Sequence, residues 1–172
     1  MSGCKSTSEL YSGENLLQPM PLPEDSWTAY EKQDGNVYQR MWSKNDNKDQ
    51  MKTDVFRNTR SGDVVKEKEI DDTVGLGKCH NFTSSEINKD NTSKYNSLTW
   101  LSTCKTESGI EINVLHKALS GDDSFYHLRR TWSSGYTKEQ LAQWIDYFAT
   151  ILVCDTRIGS LEPCPTGYSK RQ

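Results

Sequence analysis

The sequence predicts an α+β protein: an antiparallel β-sheet, built as a meander of hairpins, covered by one C-terminal amphipathic helix and braced by disulfides. Three segments in the second half are rich in apolar, β-branched and aromatic residues, and turn-forming stretches separate them. A segment with helical spacing follows, and four of the five cysteines form an even set beyond residue 78. At 172 residues, the chain is long enough for one domain and too short for two.

The predicted meander consists of three strands and the two turns between them, at residues 98–104, 110–115, 125–132, 107–109 and 120–123. In the middle strand, Ile110, Ile112 and Val114 alternate with Glu111 and Asn113. Successive side chains of a strand point to opposite faces of its sheet. We therefore expect one face of this strand to be buried and the other to be wet.

The third predicted strand has the same alternation. Tyr126, Leu128 and Trp132 fall on one face, and His127 and Arg129 fall on the other. Because the first set is apolar, we expect it to pack on the core and His127 to face solvent. We expect His116, near the end of the middle strand, to act as a polar cap.

The first half of the chain is less regular. Segments 27–30 and 37–42 flank Asp34-Gly35, a dipeptide that favours a tight hairpin turn, and 53–57 is a short strand candidate. Residues 75–97 contain two glycines and many Asn and Ser residues. This composition predicts a long loop, which a disulfide at its only cysteine, Cys79, would pin.

The predicted helix follows the meander. Thr137 and Gln140 have the spacing of a capping box. The apolar residues after them recur at helical spacing: Leu141, Trp144, Ile145, Phe148, Ile151 and Leu152. Such a stripe is typical of a helix that covers a sheet.

Composition excludes several classes of protein. The net charge is −3, and Lys and Arg are interspersed with Asp and Glu, so we do not expect a nucleic-acid binder. The longest strongly apolar stretch, residues 148–154, is far too short to cross a bilayer as a helix. With 33% hydrophobic residues and a mean hydropathy of −0.83, the core is thin and needs outside support.

Disulfides would supply that support. Cys79, Cys104, Cys154 and Cys164 allow three pairings, of which sequence proximity favours Cys79 with Cys104 and Cys154 with Cys164. Each bridge would stabilise the fold by roughly 2 to 4 kcal/mol and would indicate an oxidising compartment. Structural zinc is disfavoured, because no C-x-x-C occurs and Cys79 is directly followed by His80.

The fifth cysteine stands apart at the N-terminus. The start Ser2-Gly3-Cys4 resembles the end of a bacterial lipobox, with Met1 where a Leu normally stands. The resemblance implies a lipoprotein whose Cys4 carries the acyl chains of a membrane anchor. The polar, proline-containing segment behind Cys4 suits a tether. We therefore divide the chain into a tether, residues 1–25, and one α+β domain, residues 26–172.

Motifs for catalysis are absent from the sequence. His80, His116 and His127 lie in no H-E-x-x-H motif and beside no nucleophile elbow. Residues 45–56 begin like a calcium loop but lack its Gly and its final Glu. We predict no catalytic residue, no metal site and no cofactor, and we do not expect an enzyme, although catalytic residues can escape a motif search.

A membrane-tethered protein-binding module agrees best with these features. Glu111, Lys117, His127 and Arg129, with aromatics nearby, are suited to contact a protein partner. In general build the chain resembles immunity lipoproteins, which block secreted antibacterial effectors such as lipases delivered by type VI secretion. That resemblance implies a place on the periplasmic side of a bacterial membrane, the outer membrane in particular. The alternative is a small-molecule or lipid carrier of lipocalin-like build, for which apolar side chains are scarce.

Overall fold

The computed structural model describes residues 11–58, 62–91 and 94–165. Within these ranges the chain forms nine strands and two helices. In chain order they are β1 (Glu14–Leu17), β2 (Thr28–Asp34), β3 (Val37–Lys44), β4 (Asp49–Arg57), α1 (Val64–Lys78), β5 (Asn81–Asp90), β6 (Ser97–Lys105), β7 (Glu111–Ser120), β8 (Ser124–Trp132), α2 (Lys138–Ala149) and β9 (Leu152–Asp155).

Strands β2 to β8 form one antiparallel sheet in the order β2-β3-β4-β8-β7-β6-β5. The chain makes one meander, crosses along α1, and returns through a second meander that ends with β8 beside β4. The predicted α+β class with an antiparallel sheet is confirmed, as is the hairpin around Asp34-Gly35, which joins β2 to β3.

The two helices cover opposite faces of the sheet. On one face, Trp144 and Phe148 of α2 pack with Leu115, Tyr126 and Trp132 of β7 and β8. On the other, a smaller apolar cluster places Val64 of α1 with Leu98, Trp100, Ala118 and Phe125. The prediction of one wet face for the middle strand is wrong, because β7 lies between β6 and β8 and both of its faces are covered.

The prediction of a single helix is also wrong, because α1 precedes the second meander. Asp63 caps α1 by accepting hydrogen bonds from the backbone N–H groups of Val65 and Lys66. Only Val64 of α1 is buried, so the sequence has no apolar stripe that would reveal a helix. The predicted loop over residues 75–97 is instead the end of α1 followed by β5.

Two disulfides brace the described residues. Cys79, which follows α1, is bonded to Cys104 of β6, and Cys154 of β9 is bonded to Cys164. These are the pairs that sequence proximity favours. The first bridge fixes the C-terminal end of α1 to the sheet, so that α1 is held covalently at one end.

The predicted tether of residues 1–25 does not extend to residue 25. Residues 14–17 form β1, which pairs with β9, and Leu22 is buried in the main core. The buried carboxylate of Glu14 accepts hydrogen bonds from the backbone N–H groups of Asp122 (2.7 Å) and Asp123 (3.3 Å), which ties β1 to the turn before β8. A tertiary contact of this kind leaves no apolar pattern in the sequence. The predicted anchor Cys4 lies outside the described residues.

The build predicted for the alternative function, a lipocalin-like cup, is not formed by the described strands. The large sheet is open, with β2 at one edge and β5 at the other. A cavity of about 140 Å³ lies between the sheet and the end of α2, lined in part by Leu119, Ile145 and Ile151. It is close in size to cavities that hold a single benzene, about 150 Å³. In the described part of the chain, no helix is both long and apolar enough to cross a membrane.

Candidate metal centre

Two histidines and one aspartate meet between α1 and the sheet. His116 of β7 and His127 of β8 point to the α1 face, and His127 pairs with Ala118, so the two histidines are diagonal neighbours across the strands. Asp71 lies on α1, which covers this face of the sheet, and its carboxylate contacts both histidines. Both histidines are buried, with exposed fractions of 6% and 4%.

The three donor atoms form a nearly equilateral triangle. Nδ1 of His116 lies 3.2 Å from Nε2 of His127. Oδ2 of Asp71 lies 3.3 Å from Nδ1 of His116 and 3.4 Å from Nε2 of His127. This Oδ2 is buried and has no aligned hydrogen-bond donor, although both ring nitrogens are within contact distance. The three atoms therefore surround a common point, and the two ring nitrogens also share a hydrogen bond.

The size of the triangle matches a tetrahedral metal site. Bonds of about 2.0–2.1 Å from Zn²⁺ to nitrogen or oxygen place two ligands of a tetrahedron about 3.3–3.4 Å apart. An octahedral ion with bonds of the same length would bring neighbouring ligands to about 2.8–3.0 Å. The observed separations of 3.2, 3.3 and 3.4 Å are closer to one face of a tetrahedron.

Each histidine has a polar partner on its outer nitrogen. Oγ of Ser102 lies 2.9 Å from Nε2 of His116, and Oε1 of Glu67 lies 3.4 Å from Nδ1 of His127. A metal-bound histidine usually donates its other ring N–H to such an oxygen, which fixes the tautomer and the ring orientation. The same arrangement here would direct both inner nitrogen lone pairs to the centre of the triangle.

The electrostatics favour a neutral His116 and an ionised Asp71. Burial lowers the pKa of His116 to about 4, although Asp71 opposes this, so its imidazole is neutral at pH 7. Burial alone would raise the pKa of Asp71. The contact with His116 and the electrostatic influence of the neighbouring basic side chains, including Arg129, lower it overall, so the carboxylate is ionised. A neutral imidazole and a carboxylate are both competent metal ligands.

Trp100 of β6 forms an aromatic wall beside the centre. Its ring stacks on His116 with centroids 4.6 Å apart and 4° between the planes, and its centroid lies 5.5 Å from that of His127. Trp100 is fully buried. The wall excludes water from one side of the histidines and restricts their motion, which preorganises the site.

The four residues predicted to bind a partner do not form one surface. Glu111 is exposed at the start of β7, and Arg129 is partly exposed on the α1 face beside Asp54. The prediction that His127 faces solvent is wrong, because α1 covers it. Lys117 is also buried, on the α2 face, where its Nζ donates hydrogen bonds to the carbonyls of Phe148 (2.6 Å) and Ile151 (2.9 Å).

Sequence reasoning missed Asp71, Glu67 and Ser102 as site residues and did not bring His116 together with His127. The hairpin between the second and third predicted strands held a usable signal. In the β7–β8 hairpin, Ala118 lies opposite His127, and His116 lies opposite Arg129. Because His116 is two residues from Ala118 on the same strand, it lies on the same face of the sheet as His127.

The outer partner of His127 gives a first testable prediction. Replacing Glu67 with Gln removes the charge that orients this ring, and losses of outer-shell partners lower metal affinity by roughly 10- to 100-fold. We expect E67Q to reduce Zn²⁺ affinity within that range in a chelator-competition titration. Glu69→Gln on the exposed side of α1 is the matched control and should bind as wild type. Equal affinities for all three proteins would contradict the role of Glu67.

Fold and site together define an open antiparallel α+β sheet protein with a buried His₂Asp cluster beneath one of its helices. No protein family matches the chain, and no curated protein matches it. Among solved structures, the chain is similar to LpqN, a protein involved in cell envelope biogenesis of Mycobacterium tuberculosis. The two share 13% identity, the match covers 84% of each chain, and the TM-score is 0.43. The function of this chain is therefore inferred from its own site.

Proposed function

We propose that the protein binds one divalent transition-metal ion, with Zn²⁺ as the best match, through Asp71, His116 and His127. The observation that carries this proposal is the triangle of donor atoms with sides of 3.2–3.4 Å. This proposal differs from the prediction, made from the sequence, that the protein has no metal site.

Without a metal, the cluster is held by contacts between its own members. The two ring nitrogens lie 3.2 Å apart, and Oδ2 of Asp71 lies 3.3 Å and 3.4 Å from them, without the alignment of a good hydrogen bond. A cation at the centre would accept a lone pair from all three atoms at once.

The ligand set also narrows the choice of metal. Imidazole suits Zn, Cu, Fe and Ni, and the tetrahedral edge length favours Zn²⁺ among them. Thiolate ligands are not available from the described cysteines, because all four are in disulfides. A soft ion such as Cu(I) is therefore a poorer match.

Native mass spectrometry of the metal-stripped protein tests the proposal. On addition of equimolar Zn²⁺, we expect a single species with one ion bound per chain. The double variant H116A/H127A should remain metal-free under the same conditions. Absence of a bound ion in the wild type, or equal loading of both proteins, would contradict the proposal.

We also propose, as a second function, that the protein is a membrane-tethered recognition module, anchored through Cys4 on the periplasmic side of a bacterial outer membrane. The observation that favours recognition is the outer side of α1, where Ile70 and Val74 lie one turn apart and are 52% and 48% exposed. In its specific form, the module is an immunity protein that blocks a secreted effector such as a lipase.

Co-expression tests this second proposal. The effector tested is a secreted antibacterial lipase, taken from a neighbouring gene if one encodes it, and we expect the anchored chain to restore growth of bacteria that export it. The double variant I70D/V74D should not protect, because charges on this patch oppose an apolar contact. Equal protection by the variant would contradict the role of the patch, and no protection by the wild type would contradict immunity.

A further inference from the structure

We propose that the metal centre keeps its fourth coordination position for an external oxyanion, a carboxylate or phosphate oxygen, and that Arg129 is the second contact of this ligand. The proposal rests on the proposed metal binding. It assigns a ligand class to the site and a role to a side chain that the metal itself does not need.

The described residues supply three donors to the centre. Ser102 and Glu67 lie at the outer nitrogens of the histidines, away from the triangle, so neither completes a tetrahedron as placed. Sites with three protein ligands and one exchangeable position are the open kind, in which a water or an incoming ligand takes the fourth place. The centre is thus arranged to accept a ligand from outside.

The least buried side of the centre is at Asp71. The Asp71 side chain is 27% exposed, although its Oδ2 is buried, whereas the side chains of His116 and His127 are 7% and 5% exposed. Trp100 blocks access from the sheet at β6. An external ligand would therefore have to enter at the α1 edge, next to the Asp71 carboxylate.

Arg129 is a neighbour of both histidines on the α1 face of the sheet. It lies two residues after His127 on the same face of β8, and it pairs with His116 in the β7–β8 register.

The guanidinium group of Arg129 is only partly used. Nη2 donates to the carboxylate of Asp54, while Nε is buried without a hydrogen-bond partner in the described part of the chain. A buried N–H that lacks an acceptor is costly, and the guanidinium fork is well suited to anionic oxygens. An oxyanion bound to the metal through one oxygen would offer a second oxygen to this Nε–H. The shared chemistry is that of carboxylates and phosphates.

The cobalt-substituted protein provides the test, because the visible absorption of tetrahedral Co²⁺ responds to a change of its fourth ligand. Acetate and phosphate are titrated separately at constant ionic strength, and neutral imidazole is titrated as a ligand that does not need Arg129. We expect saturable spectral changes with imidazole and with at least one oxyanion. Binding of acetate would identify the ligand class as carboxylates, and binding of phosphate would identify it as phosphates.

Arg129→Gln is the discriminating variant. We expect it to weaken oxyanion binding by at least about 10-fold, since hydrogen bonds to charged groups are the stronger ones, and to leave imidazole binding unchanged within about twofold. Arg129→Lys should weaken oxyanion binding to an intermediate degree, because it keeps the charge without the fork. An unchanged cobalt spectrum before ligand addition shows that the variant centre is intact.

Failure of the proposed metal binding and failure of the oxyanion inference give different results in these experiments. If Co²⁺ and Zn²⁺ do not bind, the proposed metal binding fails and this inference fails with it. If the metal binds but neither oxyanion changes the cobalt spectrum, only the oxyanion inference is overturned. It is also overturned if oxyanions bind to R129Q as tightly as to the wild type.

Discussion

Zinc binding is expected to be lost when either buried histidine is replaced by alanine. His116 and His127 each contribute one of three proposed ligand atoms. Loss of an outer-shell partner already lowers metal affinity by about 10- to 100-fold, so loss of a ligand should exceed that range. We expect H116A and H127A each to raise the Zn²⁺ dissociation constant by more than about 100-fold in chelator competition.

His80 offers the matched control. It is the third histidine of the chain and is exposed just before β5, away from the cluster. H80A should bind Zn²⁺ as the wild type does, and the circular dichroism spectra of all variants should agree. If H116A and H127A retain wild-type affinity, or if H80A loses affinity to the same degree, the assignment of ligands is wrong.

The second large effect is on stability. A ligand present at about 100 times its dissociation constant stabilises the native state by about 2.7 kcal/mol. For a chain of 172 residues this corresponds to a rise in Tm of roughly 5–10 °C, at about 2–4 °C per kcal/mol. We expect Zn²⁺ to raise the Tm of the metal-stripped protein by this amount in differential scanning calorimetry, and EDTA to reverse the change.

The physical reason lies in how α1 is held. Val64 is its one buried residue, and the disulfide at Cys79 fixes only its C-terminal end. A metal ion would join Asp71, in the middle of α1, to β7 and β8. The H116A/H127A variant should therefore show no change in Tm with Zn²⁺, and a rise equal to that of the wild type would contradict this account.

Much of the sheet could be predicted from sequence because its strands are locally distinctive. The β2–β3 hairpin follows from Asp34-Gly35, and β6 to β8 follow from their apolar and aromatic runs. Helix α2 carries the predicted capping box and buries Trp144 and Phe148 of the predicted stripe. It ends at Ala149, so Ile151 and Leu152 lie beyond the helix. These signals lie within a few residues of one another, so a single sequence displays them.

Elements held by tertiary contacts left no such signal. Helix α1 faces the sheet partly through polar groups, and β1 is held by pairing with β9, 141 residues further along the chain at the Glu14–Asp155 pair. The alternation of apolar and polar residues in the middle strand also led to a wrong prediction, that one face of the strand is exposed to solvent. A strand covered on both faces carries buried groups at successive positions, such as His116, Lys117 and Ala118.

The candidate site was hidden for the same reason. His116 and His127 could be brought to one face by the hairpin register, but Asp71 and Glu67 depend on a helix that the pattern did not reveal. In the sequence, the polar residues of α1 form a charged stretch without an apolar stripe. Their position beside the two histidines depends on the packing of α1 against the sheet.

X-ray absorption at the zinc edge of the loaded protein tests the central claim most directly, because it reports the ligands of the ion. The account predicts a four-coordinate first shell of nitrogen and oxygen at about 2.0–2.1 Å, with the outer-shell scattering of two imidazole rings. A first shell that contains sulfur at about 2.3 Å, or an ion without imidazole ligands, would contradict it.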